Sequence, residues 1–350
     1  MMSPARVAVA ATLGAVFLLA EPAAQEPRVT GVAEGFAAYA RGEFDHITGT
    51  IGRVADRIGF ARELRRQAPA WIDAAGPDQV PRRRLVVAAV AVEAALAMPP
   101  LDAESAMAVE LIQWACRLVR RNPARSEAER LWHHTALAVL QRIVVFVRLP
   151  RTYVREEVRP HLNHGRDRYP DDPAWRLAAA GWVEAGAWYL NPVSSRAVPA
   201  DPARQAIRAY EKLLADEEVG AEARLRTGYL EFRRGNSDVA LAHVLQVEAS
   251  STDRLLLYLA AFVRGQISED AGRMDDAAEA YEAALERWPG GESAATALTA
   301  IRFRQERRPQ ALALAELSLR TPVREDPWRR YGRGDHRLPD LLDRLRGALQ

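Results

Sequence analysis

Residues Tyr258 to Gly291 read YLAAFVRGQISEDAGRMDDAAEAYEAALERWPGG, and this stretch decides the fold. Apolar and small residues recur every three or four positions on both sides of Gly272, so the spacing predicts two helices joined by a turn. Gly265 and Ala277 are small enough for the two helices to approach closely, Tyr281 is large enough to fill the gap toward a neighbouring pair, and Pro289 ends the second helix. The markers return at a fixed interval. Ala206, Ala240, Ala277 and Ala311 are separated by 34, 37 and 34 residues, and Tyr210, Val244, Tyr281 and Ala315 each follow by four. Gly228 and Gly235 stand twelve and five residues before Ala240, as Gly265 and Gly272 stand before Ala277. A period of this length marks a helix-pair array in which each unit buries its face against the next.

Over residues 171–325 the pattern resembles the tetratricopeptide repeat. Unit 221–254 keeps Gly228, Gly235 and Ala240 without the closing Pro, and unit 292–325 keeps Ala311 but has neither glycine. A fourth unit pairs a helix near 173–190 with one near 203–215, across an insertion from Asn191 to Asp201. The best unit departs from the family in its first helix, with Ala261 where Trp is usual and Ser268 where Tyr is usual. The resemblance implies an all-α fold, a right-handed superhelical α-solenoid of antiparallel helix pairs. It also implies a concave groove, lined by first-helix side chains, that holds a protein or peptide partner. Carried onto this sequence, those contacts are Trp182, Arg226, Tyr229, Arg233, Phe262 and Arg264.

Outside the array, residues 28–170 keep the same apolar spacing. Helices are expected near 31–41, 51–66, 82–97, 103–121, 126–147 and 151–168, with breaks at Gly76-Pro77, Pro99-Pro100, Asn122-Pro123, Pro150 and Pro170. Aligning Pro170 with Pro289 puts Val158, Leu162 and Gly165 on the apolar and small positions of a second helix, and Gly42 followed by Phe44 repeats the turn. This region reads as degenerate helix pairs continuing the solenoid, with an independent bundle as the alternative. The run Leu85 to Met98 is apolar but short and is interrupted by Glu93, which fits a buried core helix better than a membrane span. In 326–350, Leu338, Leu341, Leu342, Leu345 and Leu349 form a helical stripe. It is expected to be a C-terminal capping helix on the open end of the array, with Trp328 and Tyr331 beneath it.

Composition agrees with a folded helical chain. Of 350 residues 65 are Ala, and the single Lys (Lys212) leaves 47 Arg among the 48 basic residues; Ala and Arg are both strong helix formers. The formal charge of +2 lacks the basic excess of a nucleic-acid binder, so nucleic acid is not an expected partner. Met1 to Arg6 carries one positive charge and precedes an uncharged apolar run, Val7 to Ala20, so residues 1–24 read as a secretory signal peptide. No Cys follows it to accept a lipid, and a periplasmic or secreted location is expected. The single Cys116 cannot close an internal disulfide, and it shares a helix side with Val109, Ile112 and Val119, so it is expected in the core.

The motifs of common chemistry are missing. Lys212 follows Glu211 rather than Gly, which excludes a phosphate-binding loop, and GxSxG, HExxH and CxxC patterns do not occur. Catalytic residues, cofactor and metal are therefore all expected to be none. His161 and His164 stand at a ligand-like i, i+3 spacing with Asp167 and Asp171 nearby, but they fall beside the packed positions and read as exposed polar residues. His133 and His134 are adjacent and project apart. The expected function is an exported tetratricopeptide scaffold or adaptor mediating protein–protein interaction in the cell envelope, without catalysis. The alternative is a helical-toroid or metal-dependent envelope enzyme acting on a polymer through carboxylates gathered by folding. The sequence leaves the oligomeric state open.

Overall fold

A computed structural model describes residues 32–53, 57–98, 102–146, 151–189, 200–320, 326–331 and 334–350, so the expected signal at 1–24 lies outside the described residues. The helices are α1 (Val32–Ala40), α2 (Phe44–Arg53), α3 (Arg57–Asp73), α4 (Val80–Ala97), α5 (Asp102–Val119), α6 (Glu127–Phe146), α7 (Arg151–Arg168), α8 (Pro173–Tyr189) and α9 (Ala200–Glu211). They continue as α10 (Gly220–Arg233), α11 (Ser237–Ser250), α12 (Arg254–Asp270), α13 (Met274–Arg287), α14 (Glu292–Arg304), α15 (Arg308–Arg320), α16 (Pro327–Tyr331) and α17 (Leu338–Leu349). No strand occurs among the described residues, and no helix there is long and apolar enough to cross a membrane.

From α8 onward the fold is an all-α solenoid. The pairs α8/α9, α10/α11, α12/α13 and α14/α15 each pack internally, and α11 against α12 and α13 against α14 join successive pairs. The marker alanines Ala206, Ala240 and Ala277 are wholly buried and Ala311 nearly so, as the period requires. At Gly265 an added Cβ would lie 2.4 Å from the Tyr281 ring, which explains the small residue there. The turns carry a second signature. Gly235 and Gly272 adopt φ of 88° and 74°, and Glu306, 34 residues after Gly272, is held at φ 60°. The α14/α15 pair has no turn glycine but keeps the left-handed turn, at a conformational cost of about 1–2 kcal/mol.

The first half packs differently. Every residue from Leu85 to Ala95 is buried, because α4 is surrounded by α1, α2, α3, α5, α6 and α17. A helix apolar on all sides has to be enclosed in this way. Glu93 in the middle of α4 accepts from Tyr39 Oη (2.9 Å) and from both arms of Arg346 (2.8 and 2.9 Å). The interruption of the apolar run is thus the anchor for α17. Where one helix was expected over 51–66, two elements meet: α2 ends at Arg53 and α3 runs on to Asp73. This bundle joins the array through packing of α6 on α8.

The final helix corrects an expectation. α17 does not lie on the open end beyond α15; it packs on α6 and α4, where Leu338, Leu342, Leu345 and Leu349 enter the core of the first half. Residues 326–331 and 334–337 accordingly lie over the first helices of the array, between α12 and the bundle. Burying four leucines at about 1.5–3 kcal/mol each explains the preference for the larger apolar surface of the bundle.

Candidate functional site

The first helices α8, α10 and α12 present a face that meets segment 326–337. Tyr258 Oη donates to Asp326 Oδ1 (2.8 Å), and Trp328 packs between Phe262 (ring centroids 4.6 Å) and Tyr229 (5.1 Å). Arg226 lies 3.7 Å from the centre of the Tyr331 ring and donates to Glu184 Oε1 (3.1 Å), to the Tyr331 carbonyl (2.9 Å) and to His336 Nδ1 (2.9 Å). A guanidinium only donates, so His336 Nδ1 carries the lone pair and Nε2 the proton, which it donates to Glu222 Oε1 (2.6 Å). Arg337 reaches Glu222 Oε2 (3.0 Å) and Asp253 Oδ2 (2.8 Å), while Asp253 Oδ1 caps α12 through the amides of Leu255 and Leu256.

Burial shapes the titration of this network. It pulls His336 below the ordinary histidine range, with Arg226 acting the same way and Glu222 opposing. For Glu222, burial alone would raise the carboxyl, but His336 and Arg337 outweigh it and hold the group well below the usual carboxylate range. Beside the network lies a cavity of about 480 Å³ lined by His134, Gln141, Leu177, Glu218, Asp340 and Arg344 among others. Three carboxylates on its wall are already engaged: Glu184 with Tyr210 and Arg226, Glu222 with His336 and Arg337, and Asp253 with Arg337.

A second polar cluster sits where α5, α6 and α7 meet, and it overturns the reading of His161 and His164 as exposed. His161 is wholly buried and His164 half-buried; the rings of both stand about 5 Å from that of His133, at 5.1 and 4.9 Å. Gly165 makes room for this arrangement, since a Cβ there would fall 1.9 Å from the Trp175 indole, and Trp132 and Trp175 wall the cluster. One ligand atom each from Cys116, His133 and His161 lie within 4.8 Å of one another, as do those of Glu129, His133 and His164. Burial drives His161 and His164 down to about 4 and His133 well below its ordinary value, so all three are neutral at pH 7. Burial also pushes the Cys116 thiol up, with Arg120 opposing. His134, one position along α6, turns away to Asp172 (3.4 Å) and stacks on Trp175.

The residues expected to line a groove have these places. Arg226, Tyr229 and Phe262 lie on the first-helix face but are buried beneath the chain's own segment 326–337. Arg233 stays close to Tyr229 (3.2 Å to Oη), Arg264 pairs with Glu248 (3.0 Å) on α11, and Trp182 is half-buried against the bundle core. Sequence reasoning missed Glu184, Glu222, His336 and Arg337, whose meeting depends on where α17 docks. It also missed Cys116 and His133 as neighbours of His161; the i, i+3 histidine pair was the one signal for that cluster.

No family model matches the sequence, and no curated protein matches it. Among solved structures, the chain is similar to a crystal structure of MamA at 17% identity and a TM-score of 0.36, over 48% of this chain and 88% of that one.

Proposed function

We propose that the protein is an exported, non-catalytic scaffold that holds a protein or peptide partner at the cavity beside the first-helix face of its helix pairs. The observation that supports this most is the segment 326–337 itself. It lies on α10 and α12 as a bound polypeptide would, with an aromatic anchor (Trp328), a cation over a ring (Arg226 on Tyr331) and a chain of charged hydrogen bonds. A face that grips a short helical turn of the chain through such contacts suits polypeptide, and the adjoining cavity, rimmed by exposed Glu218 and Arg344, offers room for a partner's side chains. The non-catalytic reading draws on the pairing of Glu184, Glu222 and Asp253 with arginines, since a carboxylate held by a guanidinium is a poor proton acceptor. Export rests on the apolar run Val7 to Ala20.

The test is site-specific photo-crosslinking from positions 218 and 344 in an envelope extract. A discrete protein partner is expected at both positions and is expected to vanish on the charge reversals Glu218→Lys and Arg344→Glu. Cross-links unaffected by either reversal, or cleavage of an envelope polymer by the purified protein, would reject the scaffold reading. Fusing residues 1–24 to a phosphatase active only outside the cytoplasm tests export; an inactive fusion argues against it.

A further inference from the structure

In the network around Arg226 the side chains of Arg226, Glu184, Glu222, His336 and Arg337 are all hydrogen-bonded and Tyr331 Oη is left over, whereas in the histidine cluster the ring nitrogens themselves are buried without protein partners. Neither ring nitrogen of the wholly buried His133 has a hydrogen-bond partner, and the same holds for Nδ1 of His161 and Nε2 of His164. Whichever nitrogen of His133 carries the proton, one donor and one acceptor stay unsatisfied, at about 1–3 kcal/mol each. His161 has its tautomer fixed. Its Nε2 lies 3.2 Å from the His133 carbonyl, which only accepts, so Nε2 carries the proton and Nδ1 presents a bare lone pair. An imidazole that donates one N–H to a backbone carbonyl while the other nitrogen is left free has the arrangement of a metal ligand.

Two overlapping triads share His133, and the surroundings choose between them. Glu129, found only in the second triad, already accepts from Arg168 at both carboxylate oxygens (2.9 and 3.3 Å), whereas Nδ1 of His161, found only in the first, is unclaimed. We propose that Cys116, His133 and His161 bind a divalent ion of the zinc class through the Cys116 sulfur, one His133 nitrogen and His161 Nδ1. A thiolate with neutral imidazoles selects zinc and its neighbours over calcium or magnesium, which take oxygen ligands. On binding, the Cys116 S–H bond breaks, its proton leaves to solvent and a metal–sulfur bond forms, with no change of oxidation state; affinity accordingly falls as pH falls. His164, also unpartnered at Nε2, belongs to the competing triad with Glu129 and His133. The ion would clamp α5, α6 and α7 together, and His134, the next residue along α6, lines the cavity of the first-helix face.

The experiment titrates the chelator-stripped full chain with cobalt(II), a spectroscopic substitute for zinc. One equivalent is expected to bind with a thiolate-to-cobalt charge-transfer band that added zinc abolishes. Cys116→Ser is expected to remove the band, and His161→Gln to weaken binding by about tenfold or more, the factor typical of a disturbed ligand set. Circular dichroism establishes that each variant is folded, and the two substitutions on different helices keep the result independent of either one's stability. No binding by the folded native chain, binding unchanged in both variants, or binding without a charge-transfer band would each overturn the assignment; the last would place the ion with Glu129 and His164 instead.

Discussion

Two buried polar clusters lie in this molecule, one around Arg226 and one around His133, and they differ in what they leave unsatisfied. In the first, Arg226, Glu184, Glu222, His336 and Arg337 give to and accept from one another across α8, α10 and the residues just before α17. In the second, three imidazoles and a thiol gather among tryptophans with ring nitrogens unmatched. A network that closes on itself is a fastener, and here it holds segment 326–337 on the array. A cluster of lone pairs that does not close is stable only with a further component, or at a standing cost.

That contrast is open to direct attack. The largest effect is expected from Arg226→Met, which strips partners from Glu184, His336 and the Tyr331 carbonyl at once; denaturant unfolding should show a loss of about 3–5 kcal/mol, as for any broken buried pair. A loss under about 1 kcal/mol would mean that the network does not fasten the segment. Next comes acid. His336 and Glu222 both sit below their ordinary values when folded, so each contributes stability that is present above its unfolded pKa and disappears as pH falls through its folded one. The midpoint of thermal unfolding should therefore fall as pH drops below about 6.5. His336→Gln should flatten the upper part of that fall, and an unchanged profile would contradict the lowered value of His336.

The unmatched cluster should behave in the opposite way. Without metal, His133→Leu removes an unsatisfied group and keeps a comparable volume, so stability should stay within about 1 kcal/mol of the native chain or rise. A loss as large as that of Arg226→Met would erase the distinction. The smallest effect concerns the array alone: Glu306→Gly relieves a left-handed turn that Gly occupies at 235 and 272, and a gain of about 0.5 kcal/mol is expected once glycine's own entropy is charged against it.

How far the sequence could be read follows from the same physics. The array was legible because repetition reports packing: Ala240 and Ala277 had to be small and buried, and Glu306 keeps the turn even where the glycine is gone. The helices of the first half were legible from apolar spacing, but their arrangement was not, because packing around α4 leaves no period. α17 showed its leucine stripe plainly, yet the stripe does not say which surface it covers, and Glu93 looked like an interruption until Arg346 supplied its reason. The candidate sites were the least legible part. Cys116, His133 and His161 come from three helices, and only the register between those helices brings their ligand atoms within 4.8 Å. Placing Pro170 on Pro289 correctly put Val158 and Gly165 in the core, but it assigned His161 to the surface because the alignment carried no knowledge of α6.

The most direct test of the account is X-ray absorption at the zinc edge on the zinc-loaded full chain. A Cys116, His133 and His161 site predicts one sulfur at about 2.3 Å and nitrogens at about 2.0–2.1 Å around a single ion. A shell of nitrogen and oxygen without sulfur, or a chain that retains no zinc, would contradict it.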